Sequence, residues 1–372
     1  MEVVFTSEHE ELRQTVRRFM QAQSTEQTVR RLMETDSGYD ARTWERMASE
    51  LSLIGLAAPE KFGGAGYTAI ELGIVMEEMG RELFCGPYLS TAVLATSALL
   101  RCADDAAKSR LLPAIASGKT IATVAIAEEN GRYDIGAIAM RAARDGAKWR
   151  LDGVKNYVLD GHCADVVLVA ARTDRGVGLF EVEGKAANFS RASLPTLDLT
   201  RKLARLTFNG TPATLISGDS DATAALNHVV AVGSAMLAVE QVGGAQRCLE
   251  MSVDYAKTRL QFGRPIGSFQ AIKHKCADML VETEFARSAA YHAIFCAAGD
   301  DENELQMASH MARSYCSEAY FRATADNIQI HGGMGFTWEH PAHLYFKRAR
   351  ASSILFGDPI EHRQELGALL AL

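Results

Sequence analysis

The chain has 372 residues, and its 39 basic and 46 acidic side chains give a formal net charge of -7 at pH 7. This length is sufficient for two or three domains, since a single core seldom grows beyond about 250–300 residues, and the acidic balance argues against nucleic acid as a partner. The seven cysteines are scattered, odd in number and free of Cys-x-x-Cys pairs, which argues against a disulfide framework and predicts no metal site.

Residues 1–120 have the pattern of an N-terminal helical domain. Ser7 and Glu10 form a capping-box pattern, and apolar residues then recur on one helix face. A glycine-rich break, Pro-Glu-Lys-Phe-Gly-Gly-Ala-Gly at 59–66, predicts a loop between helices. No basic segment precedes an apolar one at the N-terminus, so we predict no signal peptide and expect a cytoplasmic protein with reduced thiols.

Residues 121–222 have the pattern of a β domain. Short apolar or alternating segments follow one another here and are separated by turn pairs such as Asp-Gly and Asn-Gly. These predicted strand segments are 120–126, 149–151, 157–159, 166–170, 177–182 and 206–208. Several short strands at this spacing predict a small antiparallel sandwich or barrel. Because residues 223–372 have helical periodicity again, the predicted fold class is α+β, with a β domain between two helical domains.

The main interruption of the C-terminal helical domain lies at residues 259–270. Two long helical runs, 229–257 and 271–296, flank the segment Arg-Leu-Gln-Phe-Gly-Arg-Pro-Ile-Gly-Ser-Phe-Gln. Its glycines and proline predict a turn, which could bind a phosphate through Arg259 and the free N–H groups of the next helix. The alternative, which composition alone favours, is a plain helix corner with a solvated arginine. The longest apolar run, 229–239, is shorter than the ~20 residues of a membrane span, so we expect none.

A second glycine-rich break, Gln-Ile-His-Gly-Gly-Met-Gly-Phe at 329–336, follows a helical run. It lacks the glycine spacing and the preceding strand of a dinucleotide fingerprint. Taken alone, it is as compatible with a helix C-cap as with a binding loop. His340 and His343 follow it, but without a third ligand we predict a surface or packing role for both histidines rather than metal binding.

The order of domains and three motifs resemble the acyl-CoA dehydrogenase family along essentially the whole chain. The motifs are 59–66, 259–270 and 329–336, and the last two together are specific. The resemblance implies a C-terminal four-helix bundle and a FAD enzyme that oxidises an acyl-CoA between Cα and Cβ, with a glutamate as the base. It also implies a dimer-based assembly in which FAD lies across a subunit interface, and an electron-transfer flavoprotein as the electron acceptor.

Family members lend several residues to the FAD of a neighbouring subunit, and this sequence retains them. An arginine faces the pyrophosphate, a glutamine and a phenylalanine pack along the nucleotide, a second glutamine hydrogen-bonds it, and a Gln-x-x-Gly-Gly loop forms a close backbone wall. By resemblance, these lent residues are Arg259, Gln261, Phe262, Gln270, Gln329, Gly332 and Gly333.

The positions that a family member uses for its own flavin and substrate are changed in this sequence. The family's Thr-Glu-Pro loop with a later Gly-Ser-Asp is replaced by Ala-Glu-Glu-Asn-Gly-Arg-Tyr-Asp at 127–134. The family's Trp-Ile-Thr strand is Tyr-Val-Leu at 157–159, so Leu159 offers no hydroxyl to the flavin ring.

The family's catalytic base is absent as well. The commonest position for it is the glutamate of a Tyr-Glu-Gly-Thr loop, and this chain has Leu-Phe-Gly-Asp at 355–358. Other members place the glutamate directly after the arginine of the turn, where this chain has Leu260. Neither phenylalanine nor leucine accepts a proton, so we predict no catalytic residue in this chain.

We interpret this division between kept and changed positions as the mark of a heteromeric enzyme. The chain most resembles a subunit of the actinobacterial α2β2 acyl-CoA dehydrogenases that act on steroid side-chain CoA thioesters, is expected to be inactive alone, and leaves the glutamate and most acyl-CoA contacts to a homologous partner. One alternative is a homomeric enzyme with a relocated carboxylate, for which the candidates are Glu128, Glu129, Asp358 and Glu361. A second alternative is a non-enzymatic assembly subunit that binds no flavin.

Overall fold

The computed structural model describes residues 4–146 and 148–371. Its helices, numbered in chain order, are α1 (Ser7–Gln23), α2 (Glu26–Met33), α3 (Ala41–Ser49), α4 (Ala69–Arg81), α5 (Thr96–Cys102), α6 (Asp105–Ala116), α7 (Thr223–Thr258), α8 (Gln270–Ala297), α9 (Glu302–His331), α10 (Ala342–Ile354) and α11 (Pro359–Leu369). A π-helical segment precedes α5, and short 3-10 turns lie at Glu60–Phe62, Ile266–Ser268 and Gly332–Phe336.

The strands lie mainly in the middle of the chain. They are β1 (Ala122–Ala125), β2 (Arg141–Asp145), β3 (Lys148–Leu159), β4 (Val166–Thr173), β5 (Gly176–Glu183), β6 (Phe189–Ser193), β7 (Leu203–Leu215), β8 (Leu260–Gln261) and β9 (Arg264–Pro265). The predicted succession of helices, strands and helices is therefore confirmed.

The first seven strands form one sheet that closes on itself. The hydrogen-bonded order is β4, β2, β3, β7, β5 and back to β4, with β1 beside β4 and β6 beside β7. The predicted barrel is therefore present, but it is not wholly antiparallel, because β1 and β2 each pair with β4 in parallel. A short hairpin cannot join two parallel strands. The chain that follows β1 and β2 therefore returns to the end of the sheet at which those strands begin before it enters β4.

The observed strands differ from the predicted ones in two ways. Strands β2 and β6 were not predicted, and two segments predicted as separate strands form the single strand β3. Strands β2 and β6 are largely exposed, so they lack the apolar alternation on which strand prediction depends. The predicted segments 149–151 and 157–159 are the two ends of β3, whose register shifts between Lys155 and Val158. Tyr157 lies in this irregularity with a left-handed backbone, φ 55°.

The cap of α1 lies one residue earlier than the capping pattern predicted. Thr6 is the N-cap residue, and its side chain accepts a hydrogen bond from the His9 backbone N–H over 3.3 Å. In return, Nδ1 of His9 accepts one from the Thr6 N–H over 3.0 Å. The predicted box of Ser7 and Glu10 is therefore wrong by one position, because an imidazole nitrogen takes the place of the expected carboxylate.

The chain forms two compact units. One unit runs to Arg31, includes Gly73–Phe84 and resumes at Ser234 to take in the C-terminal helices. The other comprises Leu32–Leu72 and Cys85–Gly233, and it contains the closed sheet with α3, α5 and α6. These units cut across the three predicted segments, and the predicted boundaries near residues 120 and 222 remain predictions.

Helices α7, α8 and α9 of the first unit bring the C-terminal motifs together. The Ser252 hydroxyl donates to Oδ1 of Asn327 over 3.0 Å, which joins α7 to α9. Lys275 forms an ion pair with Asp326, which joins the first turns of α8 to the end of α9. Both links lie within a few residues of a helix end, so the segments 259–270 and 329–336 emerge beside each other.

Helix α7 is long and apolar enough to cross a membrane by length and composition, with a mean hydropathy of 1.3 over its most apolar 18 residues. The predicted apolar run was shorter, because glycine and polar residues interrupt it without ending the helix. However, 72% of that window is buried inside the protein, which is typical of a core helix.

Candidate functional site

The break between α7 and α8 is a tight hairpin formed by β8 and β9. Its two turn residues, Phe262 and Gly263, both have left-handed backbones, with φ values of 52° and 75°. This is the geometry of a type I′ turn, which glycine adopts freely and phenylalanine does not. The predicted turn between two helices is therefore observed, and Phe262 occupies a strained position within it.

All seven lent residues are exposed in this chain. Phe262 is the extreme case, since 90% of its surface is accessible. Its ring meets the edge of Phe269, with the ring centres 6.0 Å apart, while the guanidinium of Arg264 lies 4.2 Å from the Phe269 ring centre. The Phe262 ring therefore adds little to the core of its own chain.

The glycines after α9 differ in what a side chain would meet. Gly335 is packed, because a Cβ there would lie 2.8 Å from Cβ of His331. Gly332 has a left-handed φ of 61° and ends the helix. Gly333 has no positive φ, and within the described part of the chain no atom lies within 4 Å of the place that its Cβ would take. No described part of the fold requires glycine at position 333. Glycine would be required there if an external group approached the backbone closely, because a Cβ would then stand in its way.

An aromatic stack that was not predicted from the sequence joins the two motifs. The ring of Tyr255, in the last turn of α7, stacks on His331 with the centres 4.3 Å apart, and the His340 ring centre also lies 4.3 Å from that of His331. Burial lowers the pKa of His331, whose Nδ1 lies 2.8 Å from the Asn327 carbonyl oxygen. The sequence contained one signal for this contact. Tyr255 lies one helical turn before Arg259, so both side chains lie on the same face of the helix, next to the motif.

The two histidines after the glycine loop have local packing contacts. His340 Nδ1 accepts a hydrogen bond from the Ala342 N–H over 3.2 Å, and the His343 ring stacks on Trp338 at 4.7 Å. Both rings are therefore used within the loop and the start of α10, in line with the packing role that the sequence predicts.

The carboxylate of Glu128 lies in the changed loop of the β domain and is fully engaged. It accepts hydrogen bonds from the Ala139 and Met140 N–H groups, over 3.0 and 2.8 Å, and from Nζ of Lys155 over 2.9 Å. Lys155 is completely buried and also donates to the Ile126 carbonyl. Burial opposes ionisation of Glu128, but these partners outweigh burial and lower its pKa, as expected for the counter-ion of Lys155.

Two tyrosines meet where the changed loop of the β domain approaches β3. Tyr157, in the irregular part of β3, is 43% exposed, and its carbonyl oxygen lies 3.5 Å from the Tyr133 hydroxyl. A Cβ on Gly131 would lie 3.1 Å from the Tyr157 ring, so the loop passes directly over it. Leu159 is buried, and its carbonyl accepts a hydrogen bond from the Thr123 hydroxyl.

The loop between α10 and α11 contains Phe356, the residue that the sequence predicts at the position of the family's base. Phe356 is buried and has a left-handed backbone, φ 63°, followed by Gly357 at φ 111°. The fully buried guanidinium of Arg313 fixes this loop by donating to the Ser352 and Leu355 carbonyls over 2.7 and 2.8 Å. The loop is therefore held in a defined conformation, and the side chain at the position predicted for the base is apolar.

The remaining candidate carboxylates have local structural contacts. Asp358 caps α11 by accepting from the N–H groups of Ile360 and Glu361, over 2.8 and 2.9 Å, and the Glu361 carboxylate accepts from the Asp358 N–H. Glu129 is 74% exposed and pairs with Arg205 over 3.0 Å. Leu260, the alternative position for a base, is 61% exposed on the hairpin.

Comparison with family models covers nearly the whole chain. Residues 6–119 match the N-terminal domain of acyl-CoA dehydrogenases, residues 123–210 the middle domain, and residues 223–364 the C-terminal domain. These matches follow the order of helical, β and helical segments described above.

Relatives and solved structures agree with the family models. Acyl-CoA dehydrogenase IpdE2 of Mycolicibacterium smegmatis is 34% identical over 98% of this chain and 99% of its own length. Its namesake in Mycobacterium tuberculosis is 36% identical over 95% of this chain and 94% of its own.

Two similar structures each carry the names of two components. A variant of the steroid acyl-CoA dehydrogenase Tcur3481–Tcur3483 is 31% identical, with a TM-score of 0.89 over 98% of both chains. The ChsE4–ChsE5 complex of Mycobacterium tuberculosis is 28% identical, with a TM-score of 0.90 over 100% of this chain and 99% of that one. This protein therefore belongs to the acyl-CoA dehydrogenase family, oxidoreductases whose cofactor is FAD.

Proposed function

We propose that this chain is the partner subunit of a heteromeric, FAD-dependent acyl-CoA dehydrogenase. In this proposal it lends its exposed residues to the nucleotide end of FAD in a homologous subunit, which carries the catalytic glutamate. The observation that carries the proposal is a division of roles among side chains. The lent residues face solvent, whereas the candidate carboxylates of the chain's own site are held in internal contacts or ion pairs.

The chemistry of the lent residues fits the nucleotide end of FAD. Arg259 offers a planar guanidinium, which binds a pyrophosphate through paired hydrogen bonds. The amides of Gln261, Gln270 and Gln329 can donate as well as accept, which suits a nucleotide's mixed hydrogen-bonding edge. The open backbone at Gly333 admits a ligand where a side chain would obstruct it.

The changed positions support a site that no longer performs chemistry of its own. A general base must be free to accept a proton, and its loss costs about 10²–10⁴-fold in rate. Phe356 has no such group, and Glu128 and Asp358 already accept two or more hydrogen bonds each from this chain. The relocated-base alternative therefore lacks an unengaged carboxylate among its internal candidates.

When bound, FAD supplies the hydride acceptor for oxidation of the acyl-CoA between Cα and Cβ. The part of this chain is to bind and orient. Arg259 neutralises phosphate charge, Phe262 covers apolar nucleotide surface, and the glycine loop allows close approach of main-chain groups. The proton is removed by the partner's glutamate, and the partner makes most of the acyl-CoA contacts.

The names of the similar complexes support the heteromeric assembly and the substrate class. One is called a steroid acyl-CoA dehydrogenase, and both pair two differently named components. We therefore propose an α2β2 assembly in the cytoplasm, a steroid side-chain CoA thioester as substrate and an electron-transfer flavoprotein as electron acceptor.

The flavin-to-polypeptide ratio tests this function directly. The chain is expressed alone and together with a homologous acyl-CoA dehydrogenase subunit that carries the glutamate, and flavin is measured by absorbance after denaturation. We expect no flavin in the chain alone and about one FAD per pair of unlike chains in the complex. One FAD per chain in the isolated protein would establish the homomeric enzyme. If the homologous subunit bound the same amount of FAD with and without this chain, the chain would be the assembly subunit.

Replacement of Arg259 tests the assigned site within that complex. Arg259→Ala is expected to lower FAD affinity by at least about 10-fold, since a hydrogen bond to a charged group contributes ~1.5–3 kcal/mol. Arg175→Ala is the matched control, because Arg175 is 68% exposed and pairs with Asp219 in the other unit. Equal FAD affinity in the two variants would remove Arg259 from the site.

A further inference from the structure

Three side chains that commonly bind metals meet where α8 ends and α9 begins. His292 and Cys296 lie one helical turn apart on α8, and Glu304 lies in the first turn of α9. Their ligand atoms all lie within 4.8 Å of one another. Among the residues that the structure describes, this is the one mixed histidine, cysteine and carboxylate cluster with such spacing.

The separation of the two ligand atoms on α8 suits a tetrahedral metal. With Zn–S and Zn–N bonds of about 2.3 and 2.0–2.1 Å, a tetrahedral angle separates the two ligand atoms by about 3.6 Å. Sγ of Cys296 lies 3.7 Å from Nε2 of His292 and 3.9 Å from its Nδ1. The α8 pair is therefore close to the separation that zinc requires, without movement of the backbone.

The surroundings favour a bound cation over a simple thiol–imidazole contact. Cys296 is 1% exposed, while His292 and Glu304 are half-buried and leave one side of the cluster accessible. Asp301 caps α9 beside it by accepting from the Glu304 N–H over 3.0 Å. A thiol–imidazole hydrogen bond explains two of the three residues, but it gives no reason for a carboxylate to approach both.

We propose that His292, Cys296 and Glu304 form a site for one zinc ion, with water as the fourth ligand. A sulfur and an imidazole ligand select zinc over the hard cations magnesium and calcium. The site joins two helices across a short connection, so its effect is to fix the turn between α8 and α9. It does not depend on the proposed partner or on FAD.

Little in the sequence points to this site. The two α8 ligands have a His-x-x-x-Cys spacing, and the third residue comes from another helix, so none of the usual paired-cysteine patterns is present.

The test uses the full chain, purified metal-free, with zinc titrated against a chromophoric chelator. We expect one tightly bound zinc per chain and a higher thermal unfolding midpoint with zinc. Cys296→Ser is expected to bind zinc at least about 100-fold more weakly, because loss of a direct ligand should cost more than the ~10–100-fold that loss of an outer-shell group costs. Cobalt in place of zinc is expected to show a thiolate charge-transfer band that Cys296→Ser lacks. Glu304→Gln keeps the sulfur and the band but binds more weakly.

Two controls make the result decisive. Cys276→Ser changes another cysteine of α8, and His343→Ala removes a histidine from the first turn of α10. Both variants are expected to bind zinc as the parent does. If the parent binds no zinc, the proposal is wrong. It is equally wrong if Cys296→Ser and Glu304→Gln both retain the parent's affinity, since the ion would then lie elsewhere.

Discussion

Replacement of Glu128 by alanine separates a structural role from a catalytic one. The change leaves Lys155, which is completely buried, without its carboxylate partner at 2.9 Å. Burial already lowers the pKa of Lys155 from 10.5 to about 8, although Glu128 opposes this fall. At about 1.4 kcal/mol per pH unit, the fall corresponds to about 3 kcal/mol of unfavourable free energy for the charged lysine in the folded protein.

We expect Glu128→Ala to lower the free energy of unfolding by about 3–5 kcal/mol at pH 7, the usual effect of removing one partner of a buried pair. The pH dependence has a defined sign. Because the native pKa of Lys155 lies below the unfolded value, the unfolded chain binds more protons between about pH 8 and 10.5, and stability rises with pH across that window. In Glu128→Ala the pKa falls further, so the window extends below pH 8.

Urea unfolding at several pH values, followed by tryptophan fluorescence to which Trp149 of β3 contributes, measures this effect. Glu129→Ala is the matched control, because the Glu129 pair with Arg205 is exposed and its loss is expected to cost less than about 1 kcal/mol. The double change Glu128→Ala with Lys155→Met is expected to recover most of the stability. An unchanged unfolding midpoint in Glu128→Ala, together with a folded complex that no longer dehydrogenates, would refute the counter-ion role and make Glu128 the relocated base.

Three further outcomes follow from the described contacts. Asp358→Ala removes the cap of α11 and is expected to cost about 0.5–2 kcal/mol in thermal unfolding without changing turnover by the complex, so loss of dehydrogenation would contradict its structural role. Gly333→Ala is expected to leave the unfolding midpoint unchanged within error, since its Cβ would meet no described atom within 4 Å, yet to lower FAD affinity. A titration that shows unchanged FAD affinity would place the ligand elsewhere. Burial lowers the pKa of His362 to about 2, so stability is expected to fall as pH drops below about 6.5, where only the unfolded histidine binds a proton, and His362→Gln should flatten that slope in urea unfolding.

The turns of the site were more predictable from sequence than the engagement of its carboxylates. Glycine and proline mark the breaks at 259–270 and 329–336, because backbone conformation there depends on residue type. The pairing of Glu128 with Lys155 depends on how β3 folds back beside β1. The local sequence pattern carries no information about that long-range arrangement. The exposure of Phe262 is likewise a property of the folded chain.

One contact that was not predicted is readable from the sequence. Asp358, Pro359 and Glu361 form an N-cap, a first-turn proline and a capping-box glutamate, which together mark the start of a helix. That pattern predicts capping roles for Asp358 and Glu361, which argues against either residue as the base. The cap of α1 could not be assigned in the same way, since Thr6 and Ser7 are both good capping residues and the imidazole of His9 decided between them.

Two phenylalanines with left-handed backbones differ in what offsets their strain, and the difference favours the proposed role. Phe356 is buried, so the packing of its ring against this chain offsets its strain, which is of the order of 1–3 kcal/mol. Phe262 has the same kind of strain but leaves 90% of its surface in water, so little in its own chain offsets the cost. An assembly subunit without flavin would recover that cost only if a protein surface of its partner covered the ring. A subunit that covers its partner's nucleotide recovers the cost when the complex forms, because the exposed ring is then buried against the cofactor.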